Sequence, residues 1–528
     1  MATTLQHLAR WALQLQKDQI PSDVLDLAKM QHLAVAGAVR GLGDSALASQ
    51  LLAAGPKRPP RGPPLSSGAP LLIGGHTSSA AHALRVHAAL ASALDYDEYM
   101  AFGQPGPGAV CATWMPSEGD LESAWVATVA ANEVAARVGA ACFFGNTAGQ
   151  GATFVPGVAA IVASAHRQGV DEAVLANALA IFLDSPPVPT LQAVLGTGWS
   201  RATAVSTAVA QGYEALNQAR GGLAGCVDTL DRRDGALARL SPLPLRAAFT
   251  GLGTAWLTRT ICFKRLPGSV FGQVPLEALN EIFQRHIKAA DKRLRCDQVH
   301  YLELRTSAPG FLMEQASATH PGLTPAVLAH SMARSTGALL SAHKLGTADM
   351  TPEVLASFSD RILQVASRVN LVHDWEQTVL LGDQLLNAFE PLFSGVTKAE
   401  VKAAMQHSRA IFGRLPMPET TEQLFKAIRA RPDKLLSKIG TGSGRLEDAR
   451  LDEWDWSFGA HIKLYSTRGG WWPERRVSPD SVRATPEEIR GWLVDRFAGG
   501  DDAAREKAES LCALEGSAGT DEVLALSA

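Results

Sequence analysis

The stretch GVAAIVASAHRQGVDEAVLANALAI, residues 157–181, constrains the fold more than any other. Its apolar, Ala-rich character on both sides of Gly169 reads as two buried helices joined by a turn. Small side chains let such helices approach closely, so their partners are other helices. Comparable runs recur. Leu5, Leu8, Ala12 and Leu15 lie at helical spacing in 3–17, and PSDVLDLAKMQHLAVAGAV, 21–39, opens on the helix-start signal Pro21–Ser22. Residues 78–94, about 120–143, 202–220 and 244–262 read as further helices. A chain of 528 residues exceeds one ordinary core, so two or more domains are expected. Hydrophobic residues at 46% can fill them, and 19% charged residues argue against disorder.

The pattern changes after Lys264. QVHYLELRT, 298–306, alternates like a strand, and AHIKLYSTRGGWWPERRVS, 460–478, reads as a strand, a Gly-Gly turn and a second extended piece. Helical patterns lie between them at 324–344, 352–368 and 398–412. Residues 54–76 form a Pro/Gly-rich connector. The tail returns to helix at TPEEIRGWLVDRFA, with Thr485 as N-cap and Glu488 three positions on. Residues 513–528 read as frayed. The predicted architecture is mainly α: a large helical domain (1–265), a smaller α+β domain (266–478) carrying an insertion at about 376–456, and a C-terminal segment (479–528) returning to the helical domain.

The 49 Lys+Arg against 52 Asp+Glu provide no electrostatic footprint for nucleic acid or an anionic membrane. Cysteines at 111, 142, 226, 262, 296 and 512 show no CxxC spacing, which suggests neither a zinc site nor a disulfide framework and fits a reducing compartment. No signal peptide is read at the N-terminus, and charges interrupt the apolar helices too early for a bilayer span. A cytoplasmic protein is expected.

Chemistry concentrates in ALDYDEYMAFGQPGPGAV, 93–110. Asp95, Asp97 and Glu98 end a stretch that otherwise reads as buried helix. A buried carboxylate is costly unless paired, hydrogen-bonded or used. Asp95 and Asp97 read either as helix-end caps and Arg partners or as acid–base groups.

Six stretches, in order along nearly the whole chain, resemble the MmgE/PrpD family, which includes 2-methylcitrate dehydratase, cis-aconitate decarboxylase and iminodisuccinate epimerase. They are HAALASALDYDE, DLESAWVATVAANEVAARVG, GVAAIVASAHRQGVDEAVLANALAI, GYEALNQARGGLAG, FKRLPGS and YSTRGGWWPERRVSPDS. The resemblance implies a helical domain with an inserted α+β lid, a homodimer, and neither metal nor organic cofactor. It also implies a site between the two domains that moves a proton next to a carbonyl or carboxyl. On that pattern Asp95 and Asp97 stand in the Asp-x-Asp motif, Lys264 at the lysine leading into the lid, and Arg201 where many members have a lysine.

The chain departs from the family where the family carries histidines. His87 and Ser92 stand where Asn and His often precede the Asp-x-Asp motif. The following loop reads Gly103-Gln104-Pro105-Gly106-Pro107-Gly108, residues 149–157 read GQGATFVPG, Ser269 replaces a histidine, and Arg334 replaces the tyrosine of the lid's Ser-x-x-Tyr. Met100, Phe102, Phe154 and Pro156 add apolar bulk. Such a site binds fewer carboxylates and more hydrocarbon. Asp97 or Tyr99 then takes over the acid–base role, because apolar surroundings raise a carboxyl pKa.

The catalytic candidates are thus Asp97, Tyr99, Asp95 and Lys264. The substrate-binding candidates are Arg201, Arg334, Ser269, Gln104, Phe154, Phe102, Met100 and His87. Against them stand plainer readings: His87, His166 and His373 as core histidines, Lys264 beside Arg265 and Arg334 as surface residues, Glu133–Arg137 as a structural pair. Trp454, Trp456, Trp471 and Trp472 read as lid core or dimer contacts. GSGR, 442–445, lacks the Lys-Ser/Thr of a P-loop. The expected function is a lyase or isomerase, cyclisation included, acting without a cofactor on a biosynthetic intermediate more apolar than small tricarboxylates, with secondary metabolism as the expected setting. The alternatives are a conventional 2-methylcitrate dehydratase or cis-aconitate decarboxylase, and a non-catalytic protein retaining the fold. The partners expected are a small-molecule substrate and a second copy of the chain, with no nucleic acid and no membrane.

Overall fold

The structure, a computed structural model, describes residues 2–55, 69–73, 77–115, 120–148, 153–190, 193, 198–287, 296–318, 322–342, 345–412, 437, 439–467, 469–476, 478–514 and 516–518. Parts of the 54–76 connector, of the 376–456 segment and of 149–157 lie outside them.

The Ala-rich runs form helices α1 (Thr4–Gln14), α2 (Ser22–Arg40), α3 (Ala46–Ala53), α4 (Ala80–Ser92), α5 (Gly106–Thr113), α6 (Leu121–Ala141), α7 (Phe154–Arg167), α8 (Glu172–Asp184) and α9 (Ser200–Arg220). Side-chain caps fix several starts: Thr3, Ser79, Asp120 and Asp171 each accept a backbone N–H of the first turn. α7 packs on α5, α6 and α9, and α9 also packs on α4 and α8. The whole length of α6 is buried except its first turn, as expected of a helix apolar all round. α5 arises where the sequence suggested only a Gly/Pro loop. Its glycines serve close packing: a Cβ on Gly108 would run into the Pro156 carbonyl of α7.

The helix expected over 244–262 is absent. Two 3₁₀ turns stand there instead, Arg246–Phe249 and Leu257–Thr260, separated by Gly251 and Gly253 at φ 68° and 79°. Those two left-handed residues break the helix that the apolar spacing suggested.

Beyond Lys264 come α10 (Val270–Ile282), α11 (Ala308–Ala318), α12 (Pro325–His330), α13 (Met332–Ala342), α14 (Pro352–Ala366), α15 (Trp375–Ala388) and α16 (Lys398–Phe412). A short antiparallel pair, β1 (Ala69–Pro70) and β2 (Thr77–Ser78), precedes α4. The main sheet has the order β4-β3-β5-β6, from β3 (Val299–Thr306), β4 (Val369–His373), β5 (Ala460–Ser466) and β6 (Trp471–Arg476). β3 and β4 are parallel, linked through α11–α14, while β5 and β6 form the hairpin across the Gly-Gly turn. β4 is a strand the sequence reading did not identify. Its five residues follow directly on α14.

α17 (Pro486–Ala498) begins with the expected capping box of Thr485 and Glu488 and packs on α2; α18 (Asp502–Ala513) packs on α17. The tail is not frayed at 516–518. The carbonyls of Gly516 and Ala518 accept from the Glu122 and Leu121 N–H groups at the start of α6, satisfying donors a helix start leaves unpaired. Among the described residues a large hydrophobic core runs from Leu5 through the helices and the sheet to Ala508, and a second, small cluster gathers Cys262, Val270, Val274, Trp456, Phe458 and Ala460. The described residues are therefore mainly helical, with a four-stranded sheet and the short β1–β2 pair. No helix among the described residues is long and apolar enough to cross a membrane.

Candidate functional site

α4 ends at Ser92, and the chain turns sharply at Asp95, whose φ is 48°. Asp95 and Trp456 are the non-glycine residues with positive φ among those described, and both lie at this site. A strained backbone held in place by its surroundings is a feature of pre-organised sites. Past the turn, Tyr99 pairs with Cys262 through two backbone hydrogen bonds (3.1 and 2.7 Å). That bridge sets Lys264, two residues on, beside Asp95.

Asp95 is the hub. Its Oδ1 accepts from Lys264 Nζ (2.6 Å), Arg201 Nη2 (2.9 Å) and Gln104 Nε2 (2.6 Å). Lys264 also donates to the Asp95 carbonyl, and Arg201 to Gln104 Oε1 and the Ser92 carbonyl. Burial alone would raise the Asp95 carboxyl, but Arg201, Lys264 and His330 outweigh it and hold the group below the usual carboxylate range.

Asp97 is the opposite case. It is 0% exposed, and neither carboxyl oxygen has a hydrogen-bond partner among the described residues. Burial pushes its carboxyl up to about 7; Lys264 and Arg201 pull it down, while Asp95 and Glu98 push it further up. Glu98, also buried, accepts from Gln31 Nε2 at 2.6 Å, and Gln31 pairs with Asn132. The Gly106 N–H supports the same carboxylate. A side chain at 106 would collide with Glu98, so the first α5 residue must be glycine. Tyr99 has its hydroxyl pushed up to about 12, first by burial and then by Asp95. It therefore stays protonated, a hydrogen-bond donor at any ordinary pH.

Two residues missed in the sequence complete the cluster. His330, at the end of α12, has its Nδ1 2.9 Å from the Ala326 carbonyl, so Nδ1 carries the proton and donates there. Its Nε2 lies 3.7 Å from Asp95 Oδ2 without a hydrogen bond. Burial, then Arg201, lowers its pKa to about 4, so the ring is neutral. Arg496, from α17, donates to the carbonyls of Tyr96 and Lys264 and stacks on the Tyr96 ring, 3.7 Å to the centroid. A lone histidine in LAHSMARS and an arginine nearly 400 residues from Asp97 offered no sequence signal.

Of the remaining candidates, Ser269 caps α10, and its N–H donates to the Ala329 carbonyl, next to His330. Phe102 packs on Phe143 and Phe389. Aromatic contacts continue from Phe389 to Trp454, Trp456, Tyr99 and Phe271, so described parts of the 376–456 segment wall this side of the cluster. Met100 and Phe154 are fully buried. His87 makes its contacts elsewhere: its Nε2 accepts from the Leu72 N–H (3.0 Å), and its ring meets Trp114 edge-on. Arg334 donates to the Ser317 carbonyl beside Glu314. Trp471, at the sheet edge, is 55% exposed and stacks on Tyr465.

The cluster is closed. Lys264 is 2% exposed, and two cavities of the molecule lie elsewhere, one beside His32 and one beside Trp11. Among the described residues no group of three or more His, Cys, Asp or Glu is arranged to hold a metal ion. Chemically, the arrangement offers an ionised carboxylate fixed by two cations, next to a carboxyl that changes its proton near neutral pH. No protein-family model matches the chain, and no curated protein matches it in sequence.

Proposed function

We propose that this protein is a proton-transfer enzyme of the MmgE/PrpD type, a lyase or isomerase whose substrate is an anionic intermediate more apolar than small tricarboxylates. The observation that carries the reading is Asp97, a buried carboxyl with no hydrogen-bond partner among the described residues and a pKa raised to about 7, the range in which a general base is most effective. When ionised, Asp97 takes a proton from carbon next to a carboxyl or carbonyl. Lys264 and Arg201 stabilise the charge that develops on oxygen. Asp97, now protonated, then gives the proton to the departing group in an elimination or to another carbon in a shift or ring closure; where the Tyr99 hydroxyl gives it instead, the Asp97 proton restores Tyr99. Asp95 acts as a positioning residue, since its Oδ1 is spent on three donors. Phe271, Trp456 and Phe458 supply hydrocarbon walls. Substrate access requires the wall of 268–271, His330 and Trp456 to separate from the helices, a lid motion of the kind that excludes water during turnover.

The closed state of the cluster favours a second reading, a non-catalytic protein that keeps the fold. One experiment separates them. The protein is incubated in D₂O with a panel of carboxylic acids that carry acidic C–H bonds, cis-aconitate and 2-methylcitrate included, and deuterium wash-in is followed by proton NMR. The proposed function expects exchange into members with an apolar chain, reduced about a hundredfold or more in Asp97→Asn. Turnover of cis-aconitate or 2-methylcitrate at ordinary enzyme rates assigns the conventional activity instead. Absence of exchange across the panel supports the non-catalytic reading.

A further inference from the structure

Where β6 ends and the chain turns toward α17, seven charged side chains close on one another. Arg265, one residue past Lys264, donates to Asp480 Oδ2 at 2.5 Å, and its guanidinium lies 5.0 Å from the Trp492 ring of α17. Arg476, the last residue of β6, reaches three acids: Asp480, Glu281 of α10, and Glu277 of α10 at 3.4 Å. Arg285 pairs with Glu281 at 2.5 Å and with Glu474 at 2.9 Å. The Asp480 N–H donates to Glu277 Oε2 at 2.8 Å. Beside this turn the Ser481 hydroxyl lies 3.4 Å from Cys262 Sγ. The network thus joins the Lys264 segment, α10, β6 and the helical turn Asp480–Arg483.

Its charges do not balance. Four carboxylates, Glu277, Glu281, Glu474 and Asp480, face three guanidiniums, and none of the seven pairs with a further ion among the described residues. Other charged groups on the elements packed against α10 are engaged elsewhere or face away. Glu314 of α11 accepts from the Ser331 hydroxyl, and Arg334 of α13 donates to the Ser317 carbonyl. The β5–β6 register puts His461, Lys463 and Arg475 on the sheet face opposite Glu474 and Arg476. Burial pushes the Cys262 thiol up to about 12, so it stays neutral. A surplus carboxylate is tolerated where water solvates it, so the proton belongs on the least solvated acid. The Glu277 side chain is 2% exposed, against 29% for Glu281, 17% for Glu474 and 19% for Asp480. Burial, then Asp480, pushes the Glu277 carboxyl up to about 8.

We infer that this network is a pH-sensitive fastening of α10 and β6 to the Asp480 turn. With Glu277 protonated, three carboxylates meet three guanidiniums and the turn is held. Ionisation of Glu277 sets four against three in a buried seam and releases the turn beside Cys262 and the Lys264 segment. The sign follows from linkage. The carboxyl is raised from 4.5 to about 8 in the closed seam, so the closed form binds the proton more tightly than the open one. Its advantage is full below about pH 4.5 and is lost as pH rises through about 8. The inference is independent of the Asp97 chemistry.

Hydrogen–deuterium exchange of the full chain tests it, read by mass spectrometry from about pH 5 to about pH 9 and corrected for the intrinsic pH dependence of amide exchange. The expected result is that opening of 480–483 and of α10 rises by up to about tenfold per pH unit and levels off above about pH 8. Glu277→Gln cannot titrate and should flatten the rise. Asp97→Asn should leave it in place. Glu281→Gln removes the surplus acid instead, so the levelling should move about one pH unit lower; this variant carries the test where Glu277→Gln does not fold. Absence of a rise in the unsubstituted protein overturns the fastening. A rise that survives in Glu277→Gln, a levelling unmoved in Glu281→Gln, or a rise that disappears in Asp97→Asn also overturns it, since another group then controls the opening.

Discussion

Two buried acid sites in the helical half have opposite hydrogen-bond balances. On α6, Glu133 accepts from the N–H groups of Leu257 and Thr258, the Thr258 hydroxyl and Arg137, while Arg137 also holds the carbonyls of Gly251 and Ala255. The pair clips the irregular 251–258 chain to α6. Asp97, equally buried, has no hydrogen bond at either oxygen among the described residues. A buried charge whose bonding capacity is filled is architecture. One left unfilled costs stability and persists where its reactivity is used.

Breaking the filled site should have the larger effect on folding. Arg137→Met leaves Glu133 uncompensated and should destabilise the protein by about 3–5 kcal/mol, measured by urea unfolding. The unfilled site should respond with the opposite sign. The Asp97 carboxyl is raised from 3.8 to about 7, so the native state holds the proton more tightly than the unfolded chain. Its contribution to stability is fully present below about pH 4 and is lost as pH rises through about 7. Asp97→Asn cannot titrate. At pH 8 it should be more stable than the unsubstituted protein by on the order of 2–4 kcal/mol, with the difference vanishing toward pH 4 in paired unfolding curves.

The same substitution should cost function what it gains in stability. Once the D₂O assay identifies a turned-over acid, Asp97→Asn should lose about a hundredfold in turnover, and Lys264→Met should chiefly weaken substrate binding. The smallest effect calibrates the scale. Thr485→Ala removes a satisfied but exposed cap and should cost about 1 kcal/mol, with no pH dependence tied to Asp97.

Much of this contrast is readable from residue types. Acids at the end of an Ala-rich run and a Glu/Arg spacing of four point to both sites, whereas Asp95, Arg201 and Lys264 are grouped in the sequence only by the resemblance to the MmgE/PrpD pattern, not by residue type or spacing. Periodicity finds the long helices, whose buried faces repeat locally. It fails at 244–262, where left-handed glycines override apolar spacing, and at α5, where glycines serve close packing rather than a turn. It also fails for β4, whose identity depends on pairing with β3 more than 60 residues earlier. His330 and Arg496 were out of reach for a related reason. Each reaches the cluster by tertiary packing from a distant helix, and nothing in its own neighbourhood marks it. Which acid is saturated was also illegible, because hydrogen-bond balance depends on backbone groups such as the Leu257 and Thr258 N–H.

The central claim is that Asp97 is a carboxyl held protonatable at neutral pH beside an ionised Asp95. Carbon-13 NMR of the protein labelled at the aspartate carboxyl carbons measures this directly, with the Asp97 signal assigned by its loss in Asp97→Asn. The account predicts one buried aspartate titrating near pH 7, and a second, Asp95, still ionised at the lowest pH the fold survives. An Asp97 signal that titrates below pH 5, like an ordinary exposed carboxyl, would contradict it.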